Sequence, residues 1–151
     1  MRRPEPTRPA LAARDASVGY AGDLVIDRLD LAIPQGAFTA LVGPNGCGKS
    51  TLLRSLARML PLSRGGVTID GTAIARLSTR EVARRIGILL QGPTTPDGLT
   101  VRDLVEEGRY PHRSLFSRWS AEDDAACSTA LELTGLAGLA QRPLDSLSGG
   151  Q

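Results

Sequence analysis

Gly43-Pro44-Asn45-Gly46-Cys47-Gly48-Lys49-Ser50-Thr51 decides how this chain is read, because it is a full match to the pattern G-x-x-x-x-G-K-[ST]. Upstream, Ala37-Phe38-Thr39-Ala40-Leu41-Val42 is a short, mostly apolar run suited to a buried strand. Downstream, Leu52, Leu53 and Leu56, with Arg54 and Arg58 among them, suit an amphipathic helix. Strand, glycine loop, helix is the setting in which this motif holds phosphate. Glycines at 43, 46 and 48 permit positive φ, so successive N–H groups can turn inward as a concave anion nest. The free amides and positive dipole end of the following helix add to the same field. Lys49 is the only lysine in the chain, and the other seventeen strongly basic residues are arginines. Its compact ammonium suits the β/γ phosphates of a nucleotide, and the Ser50 hydroxyl is placed to ligate Mg²⁺.

Composition narrows the class. A chain of 151 residues with 41% hydrophobic content has the material for one domain with a real core. The formal charge is only +2, and the arginines are spread along the chain against sixteen acids, so no nucleic-acid partner is expected. No run approaches the ~18 consecutive apolar residues of a membrane span. Residues 1–14 carry Arg2, Arg3, Arg8 and Arg14 among Pro4, Pro6 and Pro9, and are expected to form a flexible leader. Their apolar piece, Ala10-Leu11-Ala12-Ala13, is too short for a secretory signal, which favours a cytoplasmic protein. Cys47 and Cys127 make neither a C-x-x-C pair nor a disulfide framework, and with a single histidine, His112, no protein-only metal cluster is expected.

Around the loop, Ala16 to Tyr20 and the alternating Leu29-Asp30-Leu31-Ala32-Ile33 read as strands, joined by more residues than a tight hairpin needs. The helix after the loop is expected to stop near Leu60-Pro61. Val67-Thr68-Ile69 reads as another short strand, closed by the Asp70-Gly71 turn. Ser78-Thr79-Arg80-Glu81 is a capping box opening a helix. Ile86-Gly87-Ile88-Leu89-Leu90 is a buried strand candidate running into Gln91. Beyond the loop at 92–98, Thr100 is placed to cap one helix and Ser120 a second, whose first turn holds Glu122, Asp123 and Asp124. The fold class expected is α/β: a nucleotide-binding core with a partial parallel sheet and antiparallel N-terminal strands, plus a mostly helical subdomain. The boundaries read are 15–91 for the core, 92–146 for the subdomain and 147–151 for a terminal motif.

That motif is Leu147-Ser148-Gly149-Gly150-Gln151, where a Ser hydroxyl and two bare glycine amides form another donor cluster for phosphate oxygens. Together with the loop at 43–51 and Gln91 after an apolar run, it resembles the ATP-binding subunit of ABC transporters. The resemblance implies that ATP and Mg²⁺ are bound at the interface of a head-to-tail dimer. Gly43 to Thr51 of one subunit would hold ATP while Ser148, Gly149, Gly150 and Gln151 of the other close over it in trans. It further implies that Tyr20 stacks on adenine, that Lys49 acts on the phosphates, and that Ser50 and Gln91 attend the Mg²⁺, with Gln91 also sensing the attacking water.

A narrower similarity lies in Pro93-Thr94-Thr95-Pro96, Gly98-Leu99-Thr100-Val101 and Gly108-Arg109-Tyr110-Pro111-His112. These look like the importers of iron-siderophore complexes, haem and cobalamin, whose ATPase docks on a membrane permease through this subdomain. The partners implied are a second ATPase subunit, a permease and, indirectly, a periplasmic or lipid-anchored binding protein, which puts the subunit on the cytoplasmic face of the membrane. The family's strand ending in Asp-Glu and its switch histidine are absent from 1–151. Such a chain is expected to bind ATP at most, with apolar sheet edges left open where central strands would pair. Two other readings stay open: a soluble ABC ATPase without a permease, and a non-catalytic, truncated nucleotide-binding remnant.

Overall fold

Strand β1 (Pro9–Tyr20) turns through Ala21 and Gly22 directly into strand β2 (Asp23–Pro34) in the computed structural model, which describes residues 9–89, 98–114 and 116–147. Both turn residues have positive φ, 50° and 96°, as required by the two-residue turn whose twist matches that of its strands. Tyr20 pairs with Asp23, so the hairpin is tighter than the sequence suggested. The strand also starts earlier than expected. Residues 9–14, read as part of a leader, belong to β1, where both edges are paired; Ala12 and Ala13 are buried, Ala13 in the core with Leu52 and Leu56.

On its other edge β1 pairs with β3 (Arg64–Ile69), and β3 pairs with the short β4 (Thr72–Ala73) through Asp70 and Gly71, again both at positive φ. The order is β2-β1-β3-β4 and every pairing is antiparallel. β1 is irregular at Asp15, where φ is 45°. Gly65 faces this bulge at φ 76°, and a Cβ there would lie 2.2 Å from the Asp15 carbonyl oxygen, so only glycine fits.

Helix α1 (Lys49–Leu56) buries Leu52 and Leu56 in a core with Ala13, Ala16, Val67, Ile69, Ile74 and Val82, while Leu53 on its other face is half exposed. The small side chains of Ala13 and Ala16 leave room on β1 for the helix. The helix ends at Leu56, a turn before the expected stop. Arg58 follows with φ 61°, and its guanidinium donates to the carbonyls of Ile74 (3.1 Å) and Leu77 (2.6 Å) and to Thr79 Oγ1 (2.7 Å). It ties the end of α1 to the approach of α2 (Thr79–Ala83), where Ser78 and Glu81 form the expected capping box.

The two apolar runs read as buried strands, 37–42 and 86–90, form no strand among the described residues, and the expected parallel part of the sheet is absent there. Phe38 is 97%, Val42 89% and Leu89 92% exposed. A buried parallel strand is held by neighbours on both edges and layers on both faces, and no described segment pairs with either run.

The chain divides into two compact units, Met1–Ile86 and Gly87–Gln151. In the second, the described residues between α3 (Val101–Glu107) and α4 (Ala121–Leu133) include one short 3₁₀ turn, Tyr110–His112. Thr100 and Ser120 cap them as expected, each with an aspartate three residues on completing a capping box. Val101, Cys127 and Leu131 are buried between them. The returning segment bridges Pro143 to Thr100, with Leu144 N–H donating to the Leu99 carbonyl at 2.9 Å.

Truncating the buried face of α1 and its exposed face separates these assignments. Leu56→Ala is expected to cost about 2–5 kcal/mol in urea unfolding, and Leu53→Ala no more than about 0.5 kcal/mol. Equal losses would contradict the orientation of the helix.

Candidate functional site

The loop 43–48 connects the apolar run to α1 without regular structure, and its shape comes from two glycines and one lysine. Gly46 and Gly48 have φ of 81° and 92°. Gly43 does not need positive φ; it needs to be small, because a Cβ there would sit 2.9 Å from Cys47 Sγ. Gly48 is restricted twice, since its Cβ would meet Val25 Cγ1 of β2 at 2.8 Å. The Lys49 ammonium folds back to donate to the carbonyls of Gly43 (2.9 Å) and Pro44 (2.6 Å), and Cys47 Sγ lies 3.7 Å away. The cation is therefore held within the curve of the loop. Cys47, at a position where the motif accepts any residue, takes part in this closure.

At the start of α1 the helix offers no acceptor to the amides of Lys49, Ser50 and Thr51, and no acidic residue occupies its first turn. Three outward donors, the helix dipole and an ammonium thus share one sign at one place. Tyr20 stands beside it. The Thr51 side chain and, less strongly, Arg54 bring its phenol below the ordinary pKa, against an opposing effect of desolvation. The ring remains 45% exposed. Loop, Lys49, Ser50, Thr51 and Tyr20 are thus brought together, whereas Gln91 and Ser148 to Gln151 lie outside the described residues.

In the second unit most of the charge that looked available in the sequence is engaged internally. Arg109 Nε donates to Asp123 Oδ1 at 2.8 Å, with Asp123 buried, and Asp123 Oδ2 accepts from the Ser120 amide and hydroxyl. Arg102 bridges Glu106 on its own helix and Asp124 on α4, at 2.7 and 2.6 Å. Buried Cys127 has its thiol pKa raised by desolvation. Asp103, Glu106 and Glu107 on α3 face Tyr110, Arg113 and Trp119 across a groove of about 300 Å³. Arg113 lies over the Trp119 ring at 5.2 Å. Among the described residues no group of three His, Cys, Asp or Glu could hold a metal, and no helix is long and apolar enough to cross a membrane.

A family model for the ABC transporter matches residues 26–151. The chain belongs to this family. It is 51% identical over 142 residues to the probable siderophore transport system ATP-binding protein YusV of Bacillus subtilis, covering 94% of this chain and 52% of that protein. It is 49% identical over 141 residues to the ferric enterobactin transport ATP-binding protein FepC of Escherichia coli, covering 93% and 52%. Among solved structures, a metal-chelate type ABC transporter in an inward-facing conformation matches with a TM-score of 0.75 at 30% identity, over 94% of this chain and 52% of that one. The chain spans about half the length of the curated relatives it matches. These matches bear out the resemblance read from 43–51 and 147–151, and the α/β fold class.

The capping aspartate gives this ABC-family subdomain a pH signature. The Asp123 carboxyl is held below the ordinary aspartate pKa, first by the Arg109 hydrogen bond and then by Ser120. A lowered folded-state pKa means stability that is present above about pH 4, the unfolded aspartate value, and is lost as pH falls through the lower folded value. Asp123→Asn is expected to lower the unfolding midpoint at neutral pH and to flatten its decline below about pH 4. A variant as acid-sensitive as the parent would exclude this pair as a source of that decline.

Proposed function

We propose that the chain is the nucleotide-binding portion of an ABC importer's ATP-binding subunit, coupling ATP binding and hydrolysis to uptake of an iron-siderophore-type substrate. The observation that carries the nucleotide part is the Lys49 ammonium held inside a glycine loop at the open N-terminus of α1. The donor set fits a polyphosphate with its cation: backbone amides and one ammonium for the anion, and a hydroxyl at Ser50 for Mg²⁺. The names of the similar proteins, which concern siderophore and ferric enterobactin transport, support the substrate class.

When bound, Mg·ATP supplies the transferable γ-phosphoryl group and the divalent charge that offsets its oxygens. The residues of this chain bind, orient and stabilise. The amides at 46–51 would hold the phosphates, and Lys49 would leave the Gly43 and Pro44 carbonyls to stabilise charge where it develops. Ser50 would hold Mg²⁺ with Gln91, and Tyr20, kept exposed beside Thr51, would offer its ring to adenine. Ser148, Gly149, Gly150 and Gln151 would act on the nucleotide of a second subunit in a head-to-tail dimer. The subdomain after Gln91 would dock on a membrane permease at the cytoplasmic face.

The exposed runs 37–42 and 87–89 are, in this reading, edges that pair with strands from the half of the relatives this chain does not cover. Residues 1–151 then bind ATP without effective turnover. Isothermal titration with Mg·ATP is expected to give saturable heat, weakened more than about tenfold in Lys49→Ala through loss of the charge-assisted contact. No heat from the parent, or the same heat from both chains, would refute the site. Mg²⁺-dependent hydrolysis abolished by Lys49→Ala would refute the absence of turnover.

A further inference from the structure

We propose that the turn leading into α2 and the outward face of α2, with Arg76, Arg80, Arg84 and Arg85, rest on the anionic phospholipid surface of the membrane. This rests on the reading above that the subunit works at the cytoplasmic face. The surface is built wholly within the first unit.

Charge is unevenly distributed along the chain. Residues 54–85 carry seven arginines against two acids, Asp70 and Glu81, whereas residues 98–147 carry five arginines against eight acids. A nearly balanced whole therefore holds one basic stretch and one acidic stretch, each in a different unit. Folding concentrates the basic one. Ile74 and Val82 are buried in the core, which turns the opposite side of α2 outward. Arg80 and Arg84 lie on that side at i, i+4, flanked by Arg76 and Arg85, and Arg76, Arg84 and Arg85 are exposed. Arg58 does not join the set, because its guanidinium donates to the Ile74 and Leu77 carbonyls. Glu81, the one acid in α2, accepts from the Ser78 amide at 2.7 Å, and its pKa is lowered first by Ser78 and only then by Arg85 and Arg84. Arg84 and Arg85 complement the carbonyl end of α2. Like charges at i, i+4 oppose helix formation, however, so the stability of the helix does not account for Arg80 beside Arg84.

What adjoins the arginines selects the kind of polyanion. A cavity of about 420 Å³ is lined mainly by apolar groups, among them Leu60, Pro61, Leu62 and Ile74, and its wall at Ala73, Ile74 and Ala75 continues directly into Arg76. Guanidinium forks suit phosphate oxygens, and apolar space next to them suits the glycerol ester and first methylenes of a lipid. Inorganic phosphate brings nothing to fill that space. Nucleic acid would find no ring to stack on, since residues 54–89 contain no aromatic side chain. The surface is also separate from the nucleotide site. Arg58 ties the approach of α2 to the end of α1, while the phosphate loop precedes the first residue of α1, about 12 Å away along the helix.

Co-sedimentation of the 151-residue chain with vesicles tests the surface. Binding is expected to vesicles of phosphatidylcholine mixed with phosphatidylglycerol, to be absent with phosphatidylcholine alone, and to fall with added salt. Arg76→Gln with Arg85→Gln is expected to weaken partitioning about twenty- to thirtyfold, at about fivefold per arginine. Arg76→Lys with Arg85→Lys is expected to keep most of the binding. Arg118→Gln with Arg142→Gln, an equal loss of net charge from the acidic unit, is expected to change nothing. Unfolding midpoints by circular dichroism check each variant, and the single Gln variants, about fivefold each, serve if the pair unfolds.

Absence of binding to the anionic vesicles overturns the proposal. So does an equal loss in the Arg118/Arg142 pair, a full loss from Arg2→Gln with Arg3→Gln alone, or displacement from vesicles by a single-stranded oligonucleotide that binds more tightly. The Mg·ATP titration is independent of these outcomes. Vesicle binding absent with ATP heat present overturns the lipid surface and leaves the importer reading standing, whereas ATP heat absent with vesicle binding present does the reverse.

Discussion

Strand β1 is the constraint on which the first unit depends. It is paired on both edges, by β2 and β3, and α1 packs on its face over Ala13 and Ala16. Val18 is fully buried, and Ser17, also buried, carries a hydroxyl that donates to Asp27 and accepts from the Arg28 amide. The same strand delivers Tyr20 at its end to the first turn of α1. β2, held in register by β1, brings Val25 against Gly48, so the phosphate loop rests on a hairpin whose sequence contains none of its motif. The loop's conformation is therefore a consequence of sheet pairing as well as of its glycines.

The second unit illustrates how helix caps and ion pairs redistribute charge. In Gly108 to His112 the eye is drawn to Arg109 as a surface contact, yet it is an internal strut, because a buried carboxylate at Asp123 requires a partner. Arg102 performs a similar role between α3 and α4 at a more exposed position. What remains accessible in this segment is a smaller set than the sequence suggests. Recognition by such a surface depends on which charges the fold has already satisfied rather than on how many the sequence contains.

The elements readable from sequence were those governed by short-range chemistry. Ser78, Thr100 and Ser120 cap helices as their spacing from Glu81, Asp103 and Asp123 required, and Asp70-Gly71 turns where an Asp-Gly pair should. The readings that failed depended on partners. The runs 37–42 and 86–90 have the apolarity of buried strands, but a strand is a property of a pair, and no described segment supplies the other member. Residues 9–14 looked like a leader because the arginines and prolines at 2–9 precede them without a break; their run Ala10-Leu11-Ala12-Ala13 became decisive only once β2 and β3 lay alongside. Cys47 could not be placed, since its proximity to Lys49 arises from the closure of the loop.

By itself the sequence determined the family and the chemistry of the loop, because a lysine, a hydroxyl and glycines at fixed spacing before an amphipathic helix have few other uses. Only the tertiary structure decided where the Lys49 ammonium rests, what Tyr20 adjoins, and which of the charges near α3 stay unpaired. The physical reason is the range of the forces: dihedral preference and capping act within a few residues, whereas pairing, burial and charge compensation depend on groups far apart in the chain.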